Sequence, residues 1–185
     1  MKKKHVVLFA IVILPFLTAH AQGFQAPSPG KAAIYFVRHT AAGFAISFDF
    51  YHNDKFIGDF AGKNYMRYET EPGEHLFWAS SENHDFMTAE LKEGDTYIVV
   101  VNVEMGFAIA RVGLTPIMPT DKSFERAKKL VDKKAPKTNT EEELRQRNET
   151  RAEYIADKLK DYDEKLRIKR NYMHLSPEMA IPISL

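Results

Sequence analysis

The chain reads as a mainly β protein: an antiparallel β-sandwich or small barrel of seven or eight strands, followed by a C-terminal α-helical extension. Three observations predict this. Short apolar, β-rich runs alternate with Gly/Asn/Asp turns up to "PIMPTD" at 116–121. Helical spacing replaces that pattern afterwards. The charge changes at the same place: residues 22–120 hold seven Lys/Arg against twelve Asp/Glu, and residues 121–185 hold sixteen against thirteen. The expected segments are a signal peptide (1–21), a linker (22–30), a β domain (31–118) and a helical extension (119–185).

The first segment begins with Lys2, Lys3 and Lys4, continues apolar from Val6 to Leu17, and ends at Ala19-His20-Ala21. That is the three-part pattern of a secretory signal. The run is shorter than the roughly 20 apolar residues a membrane span needs, and it holds Pro15. A mature start at Gln22 in the periplasm or outside the cell is expected, with no membrane span left after cleavage. With no cysteine in the chain, neither a disulfide nor a lipid-modified cysteine is available, so a core alone holds the fold.

"AAIYFVR" (32–38) gives the first strand. In "FAISFDFYHNDKFIGDF" (44–60), Ile46, Phe48 and Phe50 alternate with Ser47, Asp49 and Tyr51, and "HNDK" supplies a turn, so the stretch predicts a hairpin. "NYMRYET" (64–70), "EHLFWAS" (74–80), "FMTAEL" before "KEGD", "TYIVVVNV" (96–103) and "GFAIARVGL" (106–114) complete the series. Beyond the boundary, Thr120 or Asp121 can cap a helix whose Phe124, Ala127, Leu130 and Val131 share a face, stopped by Pro136. "TEEE" from Thr140 is a capping box, and a long helix is expected to about Leu175. Its Ala152, Ile155, Leu159, Tyr162 and Leu166 form a short seam at spacings of 3, 4, 3 and 4. The seam packs first against the chain's own β domain or first helix, and second against another copy as a homodimer.

The most site-like stretch is "ETEPGEHLFWASSENHDF" (69–86), with two histidines, several carboxylates and the single tryptophan. Pro72-Gly73 suits a type II turn, and "SSENHD" reads as a second polar turn. His75 and Phe77 then share one strand face, and Leu76 and Trp78 the other. Residues nine apart on an extended chain lie roughly 30 Å apart, so His75 and His84 do not share a metal unless the chain folds back. On this reading Glu82 and His84 are surface turn residues whose substitution leaves stability within about 0.5 kcal/mol. No spacing joins His52, His84 and His174. No phosphate loop, nucleophile elbow or metal-ligand motif is present, and no cofactor is expected. The near-neutral balance gives no reason to expect nucleic acid as a partner.

"KAAIYFVRH", "FDFYHNDKFIGDF", "YETEPGEHLFWAS" and "AELKEGDTYIVVV" follow in an order that resembles the secreted bacterial domain-of-unknown-function family 2846. The matching residues are Tyr35, Arg38, Gly58, Pro72, Gly73, His75, Gly94, Thr96 and Tyr97. The resemblance covers about 31–115 and implies a small β-sandwich. It implies no catalytic residue. Many relatives resemble lipoproteins, and the tail from 121 lies outside the matching region. Two functional classes follow. One is an exported, non-enzymatic binding or structural module at the cell envelope, with an envelope protein or glycan as partner and Tyr51, Tyr65, Trp78 and His84 as candidate contacts. The other is a hydrolase with a carboxylate–histidine site from Glu82, His84, Asp85 or Glu104, which needs a pocket that gathers them.

Overall fold

The computed structural model describes residues 23–105, 110–169 and 171–183. The expected signal segment 1–21 and residues 106–109 of the last expected strand lie outside the described residues. The strands are β1 (Ala32–Val37), β2 (Ser47–His52), β3 (Lys55–Ala61), β4 (Tyr65–Thr70), β5 (Gly73–Ser80), β6 (His84–Leu91), β7 (Thr96–Met105), β8 (Ala110–Ile117) and β9 (Met173–Leu175). Helices α1 (Phe124–Val131) and α2 (Glu141–Asp161) lie between β8 and β9; α2 runs through a π-helical turn (Tyr162–Leu166) into the short α3 (Arg167–Lys169). One sheet has the order β4-β1-β7-β8 and the other β3-β2-β5-β6-β9. Most neighbours are antiparallel, but β1 pairs with β7, and β6 with β9, in parallel.

The two sheets enclose one core. Ile34, Phe36 and Val99 from the first meet Phe48, Phe50 and Phe77 from the second, with Phe36 and Phe50 ring centroids 5.3 Å apart. The sandwich is therefore the outcome, and the barrel is not. Strand β1 is buried on both faces, as its unbroken apolar run requires. Its Tyr35 and Val37 point away from the core to a second cluster, closed by Ala127, Leu130 and Val131 of α1. A third cluster lies on the outer face of the other sheet, where Tyr51, Phe56, Trp78 and Phe86 meet Ile155 and Tyr162 of the tail. The layers thus run α1, sheet, sheet, α2.

Sequence expectations for the tail are met in part. Thr140 and Glu143 make the capping box reciprocally. The cap of α1 is Ser123, without a side-chain bond; Asp121 instead accepts from the Met118 N–H. The seam docks on the chain's own sheet through Ile155 and Tyr162, with Leu159 packed beside them. Burying those two side chains contributes about 3–6 kcal/mol before ordering entropy. The side chain of Leu166 lies outside the described residues. The helix does not reach Leu175: α3 is described to Lys169, and the chain then pairs Met87 with Met173 and Ala89 with Leu175 before a 3-10 turn at Pro177–Met179. Leu175 is buried in the main core, and the Ile181 N–H then donates to Thr96 C=O in the opposite sheet. The extension is helical only in part and straps both sheets. The expected linker is also fastened. Phe24 packs edge-on against Tyr35 at 5.0 Å, and Thr96 Oγ1 donates to Gln25 C=O.

Unpaired strand edges invite association, and this fold covers two of the four edges among the described residues, β3 and β8, with side chains. At β3, Asn148 Oδ1 accepts from the Phe56 N–H at 2.8 Å while its Nδ2 donates to Phe56 C=O at 2.9 Å. Asn139 does the like for Asp59, accepting from its N–H and donating to its carboxylate. At β8, Asn83 pairs with the N–H and C=O of Val112, and Asp85 accepts from the Leu114 N–H. Two glycines are required by geometry. Gly73 opens β5 at φ +122, the positive torsion expected after Pro72. Gly58 stands beside a register shift in the β2–β3 pairing, where a Cβ would meet Met66 Sδ at 2.7 Å.

Candidate functional site

His84 opens β6 and pairs with Ser80 of β5, so it is a strand residue and not a surface turn residue. Its ring stands beside Trp78 and Tyr154. Nε2 lies 2.7 Å from the Tyr154 hydroxyl, which also contacts Ser80 Oγ at 2.8 Å. Burial, and then Lys158, pull the His84 pKa below the usual histidine value. Its role is to fasten α2. Glu82 is exposed, as expected.

On the opposite side of that strand start lies a polar cleft of about 480 Å³, lined by Glu82, Asp85, Asn102, Glu104, Arg111 and Asn171 among others. Glu104 and Arg111 are cross-strand partners in β7 and β8, and Asn102 Nδ2 donates to Thr115 Oγ1 at 2.8 Å. The cleft collects three of the four groups that the hydrolase reading needs. It does not collect the fourth: alternation along β6 turns His84 toward Tyr154 and Asp85 toward β8. Asp85 is also engaged by the Leu114 N–H at 2.7 Å. Among the described residues, no imidazole lines this cleft to act as base.

The remaining histidines sort themselves differently. His75, at the start of β5, and His52, at the end of β2, face each other with Nδ1 of His75 and Nε2 of His52 2.8 Å apart. The Tyr68 hydroxyl lies 3.0 Å from His52 Nδ1, and Glu71 C=O lies 2.9 Å from His75 Nε2. His52 also stacks on Phe77. Burial, and then His75, push the His52 pKa down to about 4; burial lowers that of His75 as well. Residue spacing alone missed this pair, because 23 residues separate its members. The signal was strand alternation: His52 shares a face with Phe48 and Phe50, and His75 with Phe77. The chain does fold back between His75 and His84, but His75 pairs with Ala89 at the far end of the β5–β6 hairpin. His174 turns to Thr88 Oγ1, so His52, His84 and His174 do not converge. Among the described residues, no group of three or more His, Cys, Asp or Glu is placed to hold a metal.

The aromatic rings named as candidate contacts are inside. Tyr51 and Trp78 are 0% exposed and Tyr65 is 1% exposed. Tyr51 and Trp78 stack at 3.7 Å beneath α2, and Arg151 donates to the Tyr51 hydroxyl while pairing with Asp49 at 2.6 Å. The Tyr65 hydroxyl donates to Lys134 C=O. Period two cannot by itself tell a solvent face from one that a distant helix covers, so the sequence left these rings as candidates for either place. Arg38 is also internal: its guanidinium donates to the carbonyls of Ala42, Gly43 and Ile46 and lies over Phe48, so it orders the loop before β2.

No helix among the described residues is long and apolar enough to cross a membrane. No family model matches the chain. A protein of Haemophilus influenzae described as uncharacterized is 26% identical over 114 residues, which make up 61% of this chain and 65% of that protein. The chain therefore spans just under two thirds of that relative, and the likeness carries no activity with it.

Proposed function

We propose that the chain is exported, is a β-sandwich of the family 2846 kind, and acts as a non-enzymatic binding module at the bacterial cell envelope. The observation that carries this reading is the division of labour around the polar cleft. Asp85 and Asn83 are spent on the β8 edge, while Glu82, Glu104 and Arg111 are exposed at the rim. Acceptors and donors alternate there with a few apolar groups such as Leu114 and Met173. Such a lining suits a ligand whose groups both donate and accept, and a glycan of the envelope fits that description. The lysine-rich start and Ala19-His20-Ala21 support delivery to that compartment.

The test is an NMR titration with soluble envelope glycan fragments. Shifts at Asn102, Arg111, Thr115 and Asn171 are expected, weakened about tenfold in Arg111→Ala, a loss of about 1.4 kcal/mol. Shifts confined to other surfaces, or none, sink the glycan reading.

A further inference from the structure

We infer that His52 and His75 form a binding site for a late first-row transition-metal ion, copper in preference to zinc, at the end of the β5–β6 hairpin away from the polar cleft. The two rings present nitrogens to each other at 2.8 Å, and each outer nitrogen already has a partner. Metal-bound histidines almost always have their second nitrogen held by a carbonyl, carboxylate or water. Here Glu71 C=O holds His75 and the Tyr68 hydroxyl holds His52.

Hydrogen-bond logic assigns the protons. A carbonyl only accepts, so His75 carries its hydrogen on Nε2 and leaves a lone pair on Nδ1. His52 then donates from Nε2 to that lone pair, and its Nδ1 accepts from Tyr68; the Asn53 amide nitrogen stands 3.3 Å from the same Nε2. Metal entry requires the His52 proton to move from Nε2 to Nδ1, the Tyr68 hydroxyl to turn from donor to acceptor, and the Asn53 amide to swing clear of Nε2. A tyrosine hydroxyl serves in both roles. Each ring carries one proton before and after, so no net proton is released. Metal–nitrogen bonds of about 2.0–2.1 Å place two adjacent nitrogens about 2.9 Å apart in the square-planar arrangement of Cu(II) and about 3.3 Å apart in a tetrahedral one, so the rings need to separate little, but each must tilt until its lone pair points to the metal.

His52 and His75 are each only half-buried, which leaves water a route to the other coordination positions. Two imidazoles with exchangeable waters make an open site, and imidazole sites rank copper above zinc.

The experiment titrates the full chain with Cu(II) and with Zn(II) by calorimetry, with the histidine ring nitrogens followed by NMR. Copper is expected to bind more tightly than zinc and to perturb the His52 and His75 rings first. His52→Gln and His75→Gln are each expected to weaken copper at least about tenfold, and Tyr68→Phe about tenfold. His84→Gln and His174→Gln leave it unchanged, which separates this pair from other imidazoles. If His52→Gln does not fold, His75→Gln and Tyr68→Phe still decide. Copper that binds the double variant His52→Gln/His75→Gln as tightly as the parent overturns the site, as does a loss that follows His84 or His174. Arg111→Ala leaves copper binding intact, so failure of the glycan reading does not touch this one.

Discussion

The two ends of the β5–β6 hairpin carry similar residues and treat them in opposite ways. At the Ser80–His84 end, the histidine is roofed by α2 and bonded to Tyr154, and the neighbouring Asp85 is bonded to β8. At the Gly73–Leu91 end, His75 meets the His52 ring and lines an open cavity. The covered end is the one that looks like a site in sequence, because its polar residues are consecutive. Its groups other than Glu82 are consumed by assembly, since a strand start, a helix and a sheet edge all need partners there. At the open end, chemistry-bearing side chains are left facing one another.

The largest way to break the contrast is to remove the floor of the covered end. Trp78 is fully buried and stacks on Tyr51 and Phe86. Trp78→Ala is expected to cost about 3–5 kcal/mol in chemical denaturation. Protease sensitivity should appear first in α2, because Ile155 and Tyr162 share that cluster. A loss below 1 kcal/mol would mean that the helix is not seated as described.

The next effect is one of pH. The folded-state pKa values of His52, His75 and His84 are all lowered, chiefly by burial. Such groups take up protons more readily in the unfolded chain, so their contribution is fully present above about pH 6.5 and is lost as the pH falls toward about 4. Lys55 adds to the lowering at His52, and Asp54 opposes it. The melting temperature should fall over that window, and His52→Gln should flatten the fall. An unchanged slope in His52→Gln would show that the pair titrates as if exposed.

Much of this arrangement was legible. Alternation located eight strands, and the capping box at Thr140 marked the start of α2. Three things were not legible, for physical reasons. "MHL" at 173–175 is too short to carry a period, and only the edge of β6 makes it a strand. The burial of Tyr51 and Trp78 depends on a helix about 70 residues or more downstream, which Arg151 and Tyr154 bring over them. The His52–His75 contact depends on β2 and β5 being neighbours, and strand order is not written in either strand.

A smaller effect separates the two histidine environments. His84→Ala removes the bond to Tyr154 but leaves that hydroxyl its contact with Ser80. A cost of about 1 kcal/mol is expected, more than a surface turn change. If thermal denaturation shows no loss, the Tyr154 contact fastens nothing, and the covered end is looser than the Trp78 packing implies.

The smallest expected effect belongs to Glu82, two residues before His84. It is exposed and lines the polar cleft, whereas its neighbours Asn83 and Asp85 are bonded to β8. Glu82→Ala should therefore change stability by less than about 0.5 kcal/mol. The same substitution removes an acceptor from the cleft rim, so glycan-fragment binding should weaken while the melting curve stays in place. That split is what distinguishes a group available for a ligand from a group spent on the fold. A stability loss above 1 kcal/mol would place Glu82 with Asp85 among the edge-holding residues and leave the rim to Glu104 and Arg111. Unchanged stability together with unchanged binding would shift the ligand contact to the β7–β8 side of the cleft.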